Sequence, residues 1–198
     1  MMAARETQLP AEPAGVATAR PAPAGGRSRP LFLAALLAVT ATVCAVDQLT
    51  KWIADAVLAG GRPVELLPGL LELRLRANPH GAFGLFAGFP PGLRQPVLLG
   101  LALLAMAAIT VYAIRTLGLT RPVAIALGLV LGGALANASD RLARGEVLDF
   151  IHLHWADACH WPTFNLADVA ITCGSLLLAA TVIRLWFRRS RSEEAGAV

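Results

Sequence analysis

Asp149 and Asp168 are the residues of this chain best placed to do chemistry. They belong to a polar stretch over 132–168, GGALANASDRLARGEVLDFIHLHWADACHWPTFNLAD, with an apolar run of membrane-spanning length on either side. Asn137, Asp140, Asp149, Asn165 and Asp168 all stand where a hydrophobic helix meets a polar loop. Carboxylates and carboxamides are costly in lipid, so at such a boundary they mark a functional site by default. Asp168 follows Asn165 by three residues, as N3 follows an N-cap, and the positive helix end favours its charged form. Asp149 lies between Leu148 and Phe150, where partial desolvation raises a carboxyl pKa. If the two carboxyls meet, they cannot both be charged cheaply, and one keeps a proton. Such a pair can activate a water while protonating a scissile carbonyl. Spacing alone leaves a plainer reading open, in which Asp168 only caps a helix and Asp149 pairs with Arg141 or Arg144.

Other polar residues carry weaker signals. Asn137 and Asp140, three apart, share one face of the last turn of a helix. Asp47 and Lys51 stand four apart with the acid first, the favourable order for a helical ion pair. At about 1.5 Å per residue from Pro30, Asp47 lies roughly 25 Å along its helix, near a membrane boundary. There the pair reads first as two side chains snorkelling to the interface. Asn78, in a Gly/Pro loop, reads as a turn residue. His152, His154, Asp157, Cys159 and His160 could all ligate metal, but their spacing fits no standard zinc pattern, so no metal site is assigned. Gly132-Gly133 is not a phosphate loop, since no strand precedes it and no Gly-Lys-Ser/Thr follows.

The elements that must position these groups are membrane helices. The 198 residues are 56% hydrophobic and 15% charged, against about a quarter charged in soluble proteins. Mean hydropathy is +0.61. Residues 1–30, rich in Ala, Pro, Gly and Arg, read as a disordered tail. The apolar run that follows continues without a clean small-x-small stop, which argues against a cleaved signal peptide. Val43 before Cys44 argues against the chain being a lipoprotein itself. Four apolar segments, at about 31–58, 95–114, 122–136 and 167–187, approach the roughly 20 residues of a span; the third does so only if 137–142 complete it.

The net charge of +4 comes mostly from arginine. Arginines precede the first segment, bracket the second connection and follow the last segment. With an even number of spans, these regions share one face, which the positive-inside bias makes cytoplasmic. The basic residues are then topology signals, and nucleic acid is not an expected partner. The long connections at about 59–94 and 141–166 fall outside. Leu71 to Arg76 alternates with the period of a half-buried strand, as do Ile151, Leu153 and Trp155 with His152 and His154. The expected fold is mainly α: four transmembrane helices with a small extracytoplasmic β-strand platform, flanked by Trp52, Trp155 and Trp161 at headgroup level. The domain division is a tail over 1–30, a four-helix domain over 31–189 and a cytoplasmic tail over 190–198.

Taken together, five short motifs resemble the lipoprotein signal peptidase (signal peptidase II) family over about residues 45–180. Asp47-Gln48-Leu49-Thr50-Lys51 resembles its D-x-x-T-K box, and Asn78 to Phe83 its N-x-G-x-A-F loop. Gly132 to Arg141 resembles G-G-A-x-G-N-x-x-D-R, Val147 to Phe150 resembles V-x-D-F, and Phe164 to Asp168 resembles F-N-x-A-D. The resemblance implies an intramembrane aspartic endopeptidase that removes signal peptides from bacterial prolipoproteins before the diacylglyceryl-modified cysteine. It maps a catalytic dyad onto Asp149 and Asp168. It gives site-shaping or substrate-binding positions to Asp47, Lys51, Asn78, Asn137, Asp140, Arg141 and Asn165. It also implies sensitivity to globomycin, contact with membrane lipids, no metal or cofactor, a monomer, and a place in the bacterial inner membrane with both termini cytoplasmic and the site near the outer face. Two departures stand out: His80 where the family has glycine, with Gly81 one place later, and Ala136 for the glycine before Asn137. A small proton-coupled transporter, which predicts acids near the midplane of several helices, is the rival reading. A scaffold of satisfied polar caps is a third.

Overall fold

The computed structural model describes residues 28–81, 84, 86–117, 119–155 and 159–196. Of the tail expected over residues 1–30, residues 1–27 lie outside the described residues, as does the Asp157 candidate, and residues 28–30 belong to the first helix. Four helices are long and apolar enough to cross a membrane: α1 (Ser28–Leu58), α2 (Pro91–Leu117), α3 (Arg121–Arg144) and α4 (Leu166–Gly196). They match the four apolar segments but run further at most ends. α3 does continue through Asn137 and Asp140, and α4 stays helical past residue 189.

α3 is the central helix, packed against α1, α2 and α4. It starts after Thr120 with proline in its first turn, where a missing N–H costs nothing. It stops at Gly145, whose φ of 78° lets its N–H close on the Arg141 carbonyl, 3.1 Å away. Its glycines set how closely its neighbours approach. A Cβ on Gly132 would lie 2.8 Å from the Thr40 carbonyl of α1, and one on Gly133 would collide with the Ala167 carbonyl of α4. Small residues that let backbones touch are the usual means of helix association in lipid, where burial of apolar area provides no drive.

Between the helices lies an antiparallel sheet in the order β1-β2-β3-β4, with β1 at Val64–Leu67, β2 at Leu71–Asn78, β3 at Val147–Trp155 and β4 at Cys159–His160. The two strands expected from alternation are β2 and β3, and they pair. β1 and β4 are additions. β2 slips register between Leu73 and Arg76, a bulge-like irregularity that sets Arg76 across from Asp149. Phe150, Leu73 and Leu75 of the sheet pack with Ala54 and Leu58 of α1, which fixes the platform on the end of the bundle.

Candidate active site

The site begins with the way α4 starts. Asn165 is its N-cap, and the Asn165 Oδ1 accepts from the Asp168 N–H at 3.0 Å while Asp168 Oδ2 accepts from the Asn165 N–H at 3.3 Å. This reciprocal arrangement is a capping box built from Asn and Asp, and it aims Asp168 back at the loop. Phe164, one residue earlier, bridges to Ile151: its carbonyl accepts from the Phe150 and Ile151 N–H groups, and its N–H donates to the Ile151 carbonyl. That bridge docks the start of α4 onto β3. It brings the Asn165 Nδ2 within 2.6 Å of Asp149 Oδ1. One asparagine therefore holds both aspartates, 19 residues apart in the chain.

Each carboxylate has a second carboxamide. Asn78 at the end of β2 donates from Nδ2 to Asp149 Oδ2 at 3.0 Å, and its Oδ1 is occupied by the His80 N–H at 3.2 Å. Asn137 on α3 donates from Nδ2 to Asp168 Oδ1 at 2.9 Å. Its Oδ1 accepts from Asn165 at 3.2 Å and from Lys51 Nζ at 2.9 Å. An ammonium can only donate, so Lys51 fixes which way the Asn137 amide faces.

Lys51 is the hub of the charges behind this pair. It is 1% exposed and lies 2.8 Å from Asp47 and 2.7 Å from Asp140. Asp47 also accepts from the Ala167 N–H at 2.7 Å, adding a second acid to the start of α4. Asp140 accepts from Gln48 at 2.9 Å and from the Leu148 N–H at 3.3 Å, tying α3 to both α1 and β3. Arg141 donates to the Asn137 carbonyl at 3.3 Å. A buried charge is tolerated only when paired and hydrogen-bonded, and here the partners are supplied by α1, α3, α4 and β3 together.

Burial makes Asp149 a weak acid. Removal from water comes first, and the neighbouring Asp168 charge adds to it; the hydrogen bonds from Asn78 and Asn165 pull the other way, and its pKa is pushed up to about 7. Asp149 therefore holds a proton at neutral pH far more readily than a solvated carboxyl does. It opens on a cleft of about 670 Å³ whose walls include Asn78, His80, Arg76, His152 and Thr163. A carboxyl that keeps a proton near neutral pH, close to a second carboxyl and lining a cleft, is equipped for acid–base chemistry on an amide.

The candidate site residues singled out in the sequence converge on this end of the bundle, and of the metal candidates His152 and His160 line the same cleft. His152, His154 and His160 stack with ring centroids 5.4–5.7 Å apart. Among the described residues no group of three or more His, Cys, Asp and Glu side chains is arranged to hold a metal ion. Three readings need correction. Asp47 and Lys51 do not snorkel to the interface but are buried. Asn78 is more than a turn residue, since it binds Asp149. Arg144 pairs with Asp55 at 3.1 Å and not with Asp149. Gln48 was missed, although its carboxamide binds Asp140 and the Ala136 carbonyl. The signal available for Lys51 was that it is the single lysine of an arginine-rich chain.

Comparisons with known proteins give the family and agree with the fold. The family model described as signal peptidase (SPase) II matches residues 39–184. The chain is 37% identical over 153 residues to the lipoprotein signal peptidase of Geobacter metallireducens, covering 77% of this chain and 93% of that one. It is 38% identical over 164 residues to that of Pseudomonas aeruginosa strain UCBPP-PA14, covering 80% and 90%. Against that of Aquifex aeolicus the identity is 41% over 142 residues, covering 72% and 81%. A solved bacterial membrane enzyme superposes with a TM-score of 0.67 at 25% identity, over 77% of this chain and 90% of its own.

Proposed function

The chain belongs to the signal peptidase II family, a protease family, and from that premise we propose that it is an aspartic endopeptidase of the bacterial inner membrane. Its substrates are diacylglyceryl-modified prolipoproteins, cut just before the lipidated cysteine. The observation that carries the reading is the Asn165 side chain and backbone held between Asp149 and Asp168. It supports a pair of carboxyls acting on one reacting group.

In the proposed step a water lies between the two carboxyls. Asp168, in the first turn of α4 where the helix dipole favours charge, takes a proton as the water oxygen bonds to the scissile carbonyl carbon. Asp149, whose raised pKa lets it keep a proton near neutral pH, donates to the carbonyl oxygen. The proton on Asp168 then passes to the cysteine nitrogen as the C–N bond breaks, and Asp149 recovers its own as the carbonyl re-forms. The products are a signal peptide carboxylate and a mature chain with a free cysteine amine. Asn78, Asn137 and Asn165 hold the carboxyls in register, while Asp47, Lys51 and Asp140 brace the helices that carry them. Arg141 brings a positive charge to the same end of α3. The step uses no metal or cofactor.

Arginine placement supports cytoplasmic termini, which puts the sheet and the pair at the outer face. The substrate's acyl chains then stay in the bilayer while its peptide reaches the cleft from the side, and the monomer suffices. A globomycin-type inhibitor would compete for the same cleft. The polar groups gather at one end of the bundle, where a transporter would need them along its length.

Cleavage of a lipid-modified prolipoprotein by Asp149→Asn and Asp168→Asn proteins that still insert tests the proposal. Each is expected to lose at least about a thousandfold in kcat/KM. Full activity in either overturns the pair. Activity should also withstand a strong chelator, whereas a metalloprotease would lose it.

A further inference from the structure

The cleft that Asp149 lines also carries basic groups. Arg74, Arg76, His152 and His160 line it, with Glu146 as the opposing acid. Arg76 is the cross-strand partner of Asp149, so both side chains leave the same face of the sheet. It is exposed, and its side chain makes no hydrogen bond or ion pair among the described residues. Arg74 is held in place: Glu72 lies 3.3 Å from one guanidinium nitrogen and His152 Nδ1 3.1 Å from another, while its Nε is buried without a partner. Because arginine only donates, His152 Nδ1 is an acceptor, and its Nε2–H is left to donate to His160 Nδ1 at 3.1 Å. His152 thus holds Arg74 as a neutral ring. On another wall of the cleft Thr163 is 9% exposed and its Oγ1 is buried with no partner. An unused hydroxyl and an unused guanidinium in one cleft suit a peptide whose backbone meets the first and whose acidic side chain meets the second.

We infer that the basic wall of this cleft is a subsite for an acidic side chain among the first few residues after the cut, with Arg76 as the specificity-determining residue and Arg74, two positions earlier on β2, as the second cation of the wall. The inference rests on the proposed prolipoprotein cleavage. It favours the substrate over a lipid headgroup because the basic groups share one continuous cleft with Asp149. Whatever fills it is then attached to the bond being cut.

The test uses the full chain in zwitterionic lipid, so that headgroup charge contributes nothing. Three diacylglyceryl-modified substrates differ only in carrying Asp, Asn or Lys at the second to fourth positions after the cysteine scissile bond. The expected order of kcat/KM is Asp, Asn, Lys, with about fivefold between the extremes at low salt and less at high salt. Arg76→Gln, and separately Arg74→Gln, should shrink that ratio towards one. A ratio within one protein does not depend on how much of it folds. Equal cleavage of the three substrates by the unaltered protein, or a ratio unchanged in both variants, overturns the subsite and leaves the protease reading intact. Failure to cut any of the three, the Asn substrate included, overturns the protease reading and the subsite with it.

Discussion

Near its start α3 buries Val123, Ala124 and Leu127 against Phe32 and Leu36 of α1 and Ala113 and Leu117 of α2. Towards its other end the same helix buries Asn137 and Asp140 against Lys51, Gln48 and Asn165. The first region is an apolar core, in which contacts are many, individually weak and interchangeable. The second is a closed polar network, in which every group is the partner of another. Removing a methylene from the apolar end leaves a small gap. Removing one member of the polar end leaves a charge without a counter-charge in a low dielectric, so the response should be abrupt. One helix thus serves stability at one end and orientation at the other, and mutations should separate the two.

Among changes outside the Asp149–Asp168 pair, the largest effect is expected at Lys51→Met, which strands Asp47 and Asp140. A loss of about 3–5 kcal/mol in unfolding free energy is expected. Cleavage should fall at least about a hundredfold in the surviving folded fraction, because Asn137 loses the donor that orients it. Thermal unfolding in lipid, with activity assayed on the folded protein, checks both. Leu127→Ala at the apolar end should cost about 2–4 kcal/mol of stability. Its kcat/KM per folded molecule should stay within about twofold of the unaltered value; a drop as large as that of Lys51→Met would erase the distinction between the ends. Gly133→Ala sits between them. Its added methyl must push the Ala167 carbonyl away, at about 1–3 kcal/mol. Because Ala167 neighbours Asp168, activity should suffer more than stability.

The most gradual effect is that of pH. Since the pKa of Asp149 is raised from 3.8 to about 7, its neutral form is the one the fold favours. Its contribution to stability is whole below about pH 4 and is lost as pH rises through about 7. Cleavage by a singly protonated pair should fall about tenfold per pH unit above that point. A kcat/KM profile flat to pH 9 would show that no such proton is used.

Much of this architecture was legible in the sequence because lipid imposes length and hydropathy on a span whatever it packs against. Alternation exposed β2 and β3, each long enough for a period to register; β1, with four residues, and β4, with two, are too short for one. The capping box of α4 was readable because it is local. Lys51 and Asp47 were misread for the opposite reason. α1 is apolar on every side, since lipid and protein neighbours are equally apolar, and no amphipathic stripe marks which face α3 will cover. Their depth along the helix could be counted, but their direction could not. Asn78 depended on a strand register set by the irregularity in β2, which no local pattern announces.

The central claim is that Asp149 and Asp168 act as one unit, and the kcat/KM values of Asp149→Asn, Asp168→Asn and the double variant on one lipid-modified prolipoprotein test it most directly. The account predicts that each single change costs nearly all of the activity and that the double change costs no more than either. Losses that multiply, or substantial cleavage by either single variant, would contradict it.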